Sequence, residues 1–280
     1  MSEAGLFRTA GSFFLIAGPC VLEDDALNLT VGEELARVSA SLGLPVVFKA
    51  SFDKANRSTP GAARGPGLDE GLRRLERVRA ETGLPLLTDV HEPDQAKACA
   101  QVCDALQVPA FLSRQTDLVE AVAATGRPLN LKKGQWMAPE EMAGVVGKAK
   151  AAGATAVAVT ERGTFFGYGD LVVDMRTFDR LRAATGCPAV FDGTHSVQRP
   201  GLAGGASGGD PQYTPALVRA AVAAGADGLF LEVHPEPERA WSDAATMLRL
   251  DRLPALLAQV LSIRAALEAG EPMVAEAARG

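Results

Sequence analysis

Little in this chain ties it to a membrane, a nucleic acid or an oxidising compartment. Four cysteines among 280 residues (Cys20, Cys99, Cys103 and Cys187) form no CxxC pair and fall far short of a secreted disulfide scaffold. Each thiol must therefore be judged by its surroundings. There is no basic run: 28 Lys and Arg are scattered among 34 Asp and Glu, for a net charge of −6. No face is then available to neutralise a phosphate backbone, so nucleic acid and anionic membrane are not expected partners. The apolar stretch FFLIAG near the N-terminus has no basic segment before it and is too short to span a bilayer. A cytoplasmic location is the expectation. No linker divides the chain, and no Gly-rich dinucleotide fingerprint follows the first apolar run.

What the chain does have is alternation. Short apolar runs bounded by Gly and Pro occur at SFFLIAG, PVVFKAS (45–51), PLLTDV (85–90), VPAFLS (108–113), PLNLKK (128–133), AVAVTER (156–162), PAVFDGTH (188–195) and GLFLEVH (228–234). Between them lie stretches with helical spacing, including LDEGLRRLERVRAETG, PEEMAGVVGKAKAAG, PALVRAAVAAG and RLPALLAQVLSIRAALEAG. Continuous apolar strands separated by helices imply a parallel sheet covered by helices, and eight such units predict an α/β fold of the (β/α)8 TIM barrel type. A doubly wound open sheet is the alternative. The expected organisation is one catalytic barrel over residues 1–280, with an N-terminal extension of about residues 1–11 and a disordered tail of about residues 270–280. The segment QRPGLAGGASGGDPQY (198–213), after strand seven, is either a phosphate site or cover, or a plain flexible connection.

Barrel chemistry gathers where strands end, and nearly every strand here ends on polar residues. They are Cys20; Lys49 and Ser51; Asp89 and His91; Arg114 and Gln115; Asn130 and Lys132; Thr160 and Arg162; Asp192 and His195; Glu232 and His234. In PLNLKKG, alternation directs Leu129 and Leu131 to the helices and Asn130 and Lys132 to the barrel mouth, which favours Lys132 over Lys133. A lone lysine at a strand end is ordinarily a solvated cap. Lys49, Lys54, Arg57, Lys132 and Arg162 converging on one mouth would instead receive anions, and Asn56, Arg57 and Ser58 add donors in the loop FDKANRSTPGAARG.

Cys20, His195, Glu232 and Asp243 follow strands one, seven and eight, which a closed barrel makes neighbours. Thiolate, imidazole and carboxylate together suit a divalent ion such as zinc, iron or manganese. The ordinary alternative is a buried small thiol, a loop-bonded histidine and two solvated acids. Cys99 and Cys103, one helical turn apart, read as core or semi-buried helix residues, Cys187, before Pro188, falls at the stability end of the barrel with no role assigned, and Tyr168 reads as packing.

The segments AGPCVLE, FKASFDKANRS, TDVHE, FLSRQTDL, NLKKGQ, TERGTFFGYGDLVVD, FDGTHSVQ and LEVHPEPERAWSDAATML occur in order from about Phe13 to the final helix. With them the chain closely resembles the 3-deoxy-D-manno-octulosonate 8-phosphate synthases. The resemblance implies condensation of phosphoenolpyruvate with arabinose 5-phosphate and water, in lipopolysaccharide biosynthesis. It implies catalytic roles for Lys49, Lys54, Lys132, Arg162, His195 and Asp243, and substrate contacts from Asn56, Arg57, Ser58, Asp89, Gln115 and Phe111. Metal-independent members carry Asn where this chain has Cys20, so the resemblance implies a metal-dependent type with Cys20, His195, Glu232 and Asp243 as ligands. It further implies a homotetramer in which Phe111 reaches a neighbouring site. The QRPGLAGGASGG segment departs from the family pattern. The rival readings are a 3-deoxy-D-arabino-heptulosonate 7-phosphate synthase taking a four-carbon sugar, an aldolase with a Schiff base on Lys132 or Lys49, and a non-catalytic sugar-phosphate sensor.

Overall fold

The computed structural model describes residues 6–7, 13–55, 61, 63–165, 169–203 and 206–270. Eight parallel strands run in chain order: β1 (Phe14–Gly18), β2 (Val46–Lys49), β3 (Leu86–Asp89), β4 (Ala105–Val108), β5 (Leu129–Lys132), β6 (Val157–Glu161), β7 (Ala189–Asp192) and β8 (Gly228–His234). Each pairs with the next, and β1 pairs with β8 from Phe14 opposite Gly228 to Gly18 opposite Glu232, which closes the barrel. The open-sheet alternative is thereby excluded. Helices α1 (Asp25–Leu42), α2 (Leu68–Thr82), α3 (Gln95–Val102), α4 (Thr116–Ala123), α5 (Met142–Ala151), α6 (Thr177–Thr185), α7 (Thr214–Ala223) and α8 (Leu253–Ala269) follow the strands in turn.

Local chemistry punctuates these units. The Asp24 side chain accepts from Leu27 N–H at 2.8 Å to start α1, and Gly43, in the left-handed conformation at φ 62°, ends it. At Gly18 a Cβ would lie 2.1 Å from the Lys49 carbonyl oxygen, so only glycine lets the end of β1 lie this close to β2.

Two apolar clusters result from the period of two along each strand. Leu15, Phe48, Leu106, Leu131, Phe191 and Leu231 face the helices, and burying each such side chain contributes about 1.5–3 kcal/mol. Ile16, Val47, Leu87, Ala158, Val190 and Phe230 face inward and fill the barrel. Leu6 and Phe7 join this inner cluster, with the Phe7 ring 5.3 Å from that of Phe14. The remainder of the N-terminal extension and residues 271–280 of the tail lie outside the described residues.

The inward face changes character two residues further along. Val47 gives way to Lys49, Leu87 to Asp89, Ala105 to Gln107, Ala158 to Thr160, Val190 to Asp192 and Phe230 to Glu232. An apolar plug therefore carries a polar floor at the C-terminal end of the strands, where barrel sites are built.

One sequence expectation needs correction. The fourth strand is Ala105–Val108, not the VPAFLS run at 108–113, because Pro109 opens a 3-10 turn, Ala110–Leu112, in which Leu112 N–H bonds Pro109 O at 3.0 Å. Within the Gly-rich segment after β7, whose role as cover or connection stays open, Gln198–Ala203 pairs antiparallel with Ala206–Gly209. Arg199 anchors that hairpin, reaching Asp170 at 2.7 Å and Asp210 at 2.9 Å.

Candidate active site

A cavity of about 600 Å³ opens above the polar floor. Lys49, Lys54, Lys132, Arg162, His195 and Asp243 all line it, together with Asp89, Phe111 and Glu232. The structure thus brings together every proposed catalytic residue.

The floor is a continuous hydrogen-bonded chain. Asp89 accepts from the Ser51 hydroxyl and from Gln107 Nε2. Gln107 Oε1 accepts from Asn130 at 2.7 Å, and Asn130 Oδ1 accepts from Thr160 at 2.7 Å. Gln107, 1% exposed, is a site residue the sequence reading passed over because the fourth strand was placed too late. Its signal was the apolar-to-polar step from Ala105 to Gln107, which the other strands also show. Gln115, expected here, stands exposed at the start of α4 and does not line the cavity. Arg114 is exposed beside it.

The cations are less free than their number suggests. Lys49 donates to Glu232 Oε1 at 2.9 Å, Ser51 Oγ at 3.1 Å and Cys20 O at 3.3 Å. Burial alone would lower its ammonium, but Asp89 and Glu232 outweigh burial and hold it above its ordinary value. Burial would likewise raise Asp89, yet Lys49 and Lys54 hold it well below the usual carboxylate range. Lys132 donates to Asp192 Oδ2 at 2.5 Å and lies 3.6 Å over the Phe230 ring. Lys54 spends one contact on Ser51 Oγ at 3.0 Å. Arg162, 4% exposed, keeps Nη1 without a partner among the described residues, and a buried guanidinium N–H of that kind calls for an anion.

Cys20, Glu232 and Asp243 offer ligand atoms within 4.8 Å of one another. Cys20 Sγ–H donates to Asp243 Oδ2 at 2.9 Å, and burial, followed by the charges of Asp243 and Glu232, holds the thiol well above its ordinary value. His195 Nε2 lies 3.7 Å from Glu232 Oε2 and 3.9 Å from Asp243 Oδ2. Its Nδ1 is 2.7 Å from Asp192 Oδ2, which in the neutral ring places the proton on Nδ1 and leaves the Nε2 lone pair facing the two acids. Glu232 Oε2 is buried and has no hydrogen-bond partner among the described residues. An unsatisfied carboxylate oxygen, a thiol and an imidazole lone pair around one point fit a divalent ion.

Gln198 was also missed. Its Oε1 accepts from Arg162 Nη2 at 2.5 Å and its Nε2 donates to Asp243 Oδ1 at 3.2 Å, so one carboxamide joins the anion-seeking cation to the acid cluster. Lys133, set aside in favour of Lys132, is fully buried outside the cavity, 3.4 Å from Glu161. Phe111 is 52% exposed at the rim, its ring 6.1 Å from Trp136. Asn56, Arg57, Ser58 and Tyr168 lie outside the described residues. No helix among the described residues is long and apolar enough to cross a membrane.

Residues 8–269 match the model of the DAHP synthetase I family. The chain is 54% identical over 255 residues to a 2-dehydro-3-deoxyphosphooctonate aldolase of Acidithiobacillus ferrooxidans, covering 91% of this chain and 89% of the relative. It is 53% identical over 251 residues to the protein of that name from Syntrophotalea carbinolica, covering 90% of each. To that of a Synechococcus strain it is 52% identical over 263 residues, covering 94% of this chain and 92% of the relative. With its closed barrel, its polar floor and these near full-length matches, the chain belongs to the DAHP synthetase I family and, within it, to the 2-dehydro-3-deoxyphosphooctonate aldolases.

Proposed function

We propose that this enzyme condenses phosphoenolpyruvate with D-arabinose 5-phosphate and water, giving 3-deoxy-D-manno-octulosonate 8-phosphate and inorganic phosphate for lipopolysaccharide synthesis. The observation that carries the reading is the convergence of Lys49, Lys54, Lys132 and Arg162 on one cavity beside the Cys20, Glu232 and Asp243 group.

In this reading C3 of phosphoenolpyruvate forms a bond to the pentose aldehyde carbon, whose oxygen takes up a proton. Positive character develops at C2, water adds there, and the C2–O bond to phosphate then breaks. Arg162, with Nη1 available, and Lys132 hold the phosphate and carboxylate of phosphoenolpyruvate, which fixes C3 in a near-attack position. Lys54 and Lys49 supply positive charge on the other wall. Asp89, held ionised, aligns Lys49 and orders the floor through Ser51 and Gln107. Asn56, Arg57 and Ser58 receive the pentose phosphate, and Phe111 borders the entrance. Gln107, and not Gln115, supplies an amide that lines the cavity.

Cys20, His195, Glu232 and Asp243 would hold a divalent metal ion, which when bound supplies a Lewis-acidic, orienting charge. His195 and Asp243 border the space where the aldehyde and the water must meet. The whole chain is read as one catalytic barrel, working in the cytoplasm as a homotetramer.

The test is phosphate release from phosphoenolpyruvate with arabinose 5-phosphate or erythrose 4-phosphate, before and after chelation and metal restoration. Turnover with the pentose that falls on chelation and returns with metal is expected. Turnover with the tetrose alone would assign the heptulosonate reaction instead. Activity that resists chelation would remove the metal and leave the condensation standing.

A further inference from the structure

His234 closes β8 two residues beyond Glu232, yet it is 2% exposed and does not line the cavity. Its Nδ1 accepts the Glu236 N–H at 2.9 Å, so the neutral ring carries its proton on Nε2. That nitrogen has no hydrogen-bond partner among the described residues and faces Glu23 Oε1 at 3.6 Å.

Glu23 is buried as well, at 6% exposure, three residues beyond Cys20. It is fixed from two helices: its N–H donates to Asn28 Oδ1 of α1 at 3.3 Å, and its carbonyl oxygen accepts from Arg74 of α2. Its side chain turns the other way, and Oε1 accepts the backbone N–H of Trp241 at 3.0 Å. Trp241 opens the segment that carries Asp243.

Asp243 needs such an anchor. Its φ of 50° is a left-handed conformation that a residue with a Cβ adopts at some cost. On the far side, its carbonyl oxygen accepts from Thr246 N–H at 2.9 Å and Met247 N–H at 3.2 Å. On the near side, the Glu23 carboxylate pins Trp241. An apolar side chain at position 23 would fill the same space without the cost of burying a carboxylate, so the carboxylate is repaid only through what it holds in place.

We propose that Glu23, beside His234, is a positioning residue that holds the Asp243 segment in the geometry a divalent ion requires. The inference rests on the reading of Cys20, His195, Glu232 and Asp243 as a metal site. It makes AGPCVLE a two-ended element in which Cys20 would be one ligand and Glu23 straps the segment of a second, Asp243, into range.

The experiment compares the full-length wild-type chain with Glu23→Ala and Glu23→Gln after chelation. Cobalt(II) is titrated back, with the dissociation constant and the thiolate-to-cobalt absorption as readouts. Amide hydrogen exchange of residues 240–247 is followed in the metal-free proteins. Glu23→Ala is expected to weaken cobalt binding about 10- to 100-fold, as losses of outer partners of metal ligands do. It should also shift the absorption band and speed exchange in 240–247 selectively. Glu23→Gln keeps an oxygen for the Trp241 N–H and should recover most of the affinity. Wild-type cobalt binding and wild-type exchange in folded Glu23→Ala would overturn the proposal. If the wild type itself takes up no cobalt, the metal reading fails, and the exchange arm alone decides: faster exchange confined to 240–247 supports the strap, unchanged exchange refutes it. Should Glu23→Ala not fold, Glu23→Asp, which keeps the charge but withdraws it by one methylene, replaces it in every arm.

Discussion

Asp192 Oδ2 accepts from Lys132 Nζ at 2.5 Å and lies 2.7 Å from His195 Nδ1, so a single carboxylate oxygen serves both a cavity-lining cation and the imidazole beside Glu232 and Asp243. The other oxygen accepts the backbone N–H groups of Thr194 at 3.1 Å and His195 at 2.9 Å. Burial pushes this carboxyl up, but His195 and Lys132 overcome burial and hold it far below the usual range. Burial lowers the Lys132 ammonium, with Asp192 opposing. Asp192→Asn would direct an N–H at existing donors and release the histidine tautomer. Metal affinity is expected to fall about 10- to 100-fold, with a parallel loss of kcat. Cobalt titration and steady-state kinetics on the same preparation check this, and wild-type values in both would refute the shared role.

Lys132 and Lys133 are adjacent in NLKKGQ but should fail in opposite ways. Lys133 is fully buried, 3.4 Å from Glu161, and donates to Met137 O at 3.0 Å and Thr164 Oγ1 at 3.1 Å. Lys133→Met strands the Glu161 charge and should cost about 3–5 kcal/mol of stability. Adding Glu161→Gln should restore part of that, which a double-mutant cycle by denaturant unfolding measures. Lys132→Met should instead abolish phosphate release with a smaller change in midpoint. Equal stability losses would contradict this division.

Much of this division is legible in six letters. In PLNLKK the period of two sends Leu129 and Leu131 to the helices and Asn130 and Lys132 to the floor, as the structure has them. The same period, with Gly and Pro at the boundaries, predicts eight units and barrel closure, because both depend on local pattern. Gln107 carries the same apolar-to-polar step but is outweighed, since a four-residue strand containing an amide loses to the longer apolar run beside it. Gln198 was not legible at all, because its role arises only when the hairpin carries it between Arg162 and Asp243, residues far apart in the chain. Strand ends are local; bridges between loops are not.

Gln198 offers a graded test of the bridge. Gln198→Ala leaves Arg162 Nη2 and Asp243 Oδ1 without these hydrogen bonds. Losing hydrogen bonds to two charged groups is expected to lower kcat/KM for phosphoenolpyruvate about tenfold, or about 1.4 kcal/mol. Gln198→Glu keeps the acceptor for Arg162 but sets a negative charge against Asp243, so it should spare the KM for phosphoenolpyruvate while weakening metal binding. Identical behaviour of the two variants in both assays would show that the carboxamide does not act as a bridge.

The pH limits of stability have separate origins at the two ends. Asp89, Asp192 and Asp243 all have folded values held below the ordinary carboxylate range, chiefly by neighbouring cations that overcome burial. Their contribution is complete above the unfolded value of about 3.9 and is lost as pH falls toward the depressed folded values. At the alkaline end the sign is the same as for any acid whose folded value is raised. Burial, helped by the Asp89 charge, pushes the Cys99 thiol from 9.0 up to about 12. The folded state keeps its proton where the unfolded chain has lost it, so stability should decline between about pH 9 and about pH 12. All four cysteines are free and buried, and their thiols are raised by burial first. The metal-free native protein should therefore leave a disulfide reagent at pH 8 almost unreacted until denaturant is added, when four thiols appear together. Denaturant midpoints measured across pH check the first expectation, and a Cys99→Ala variant that keeps the same alkaline slope would assign that decline to other groups.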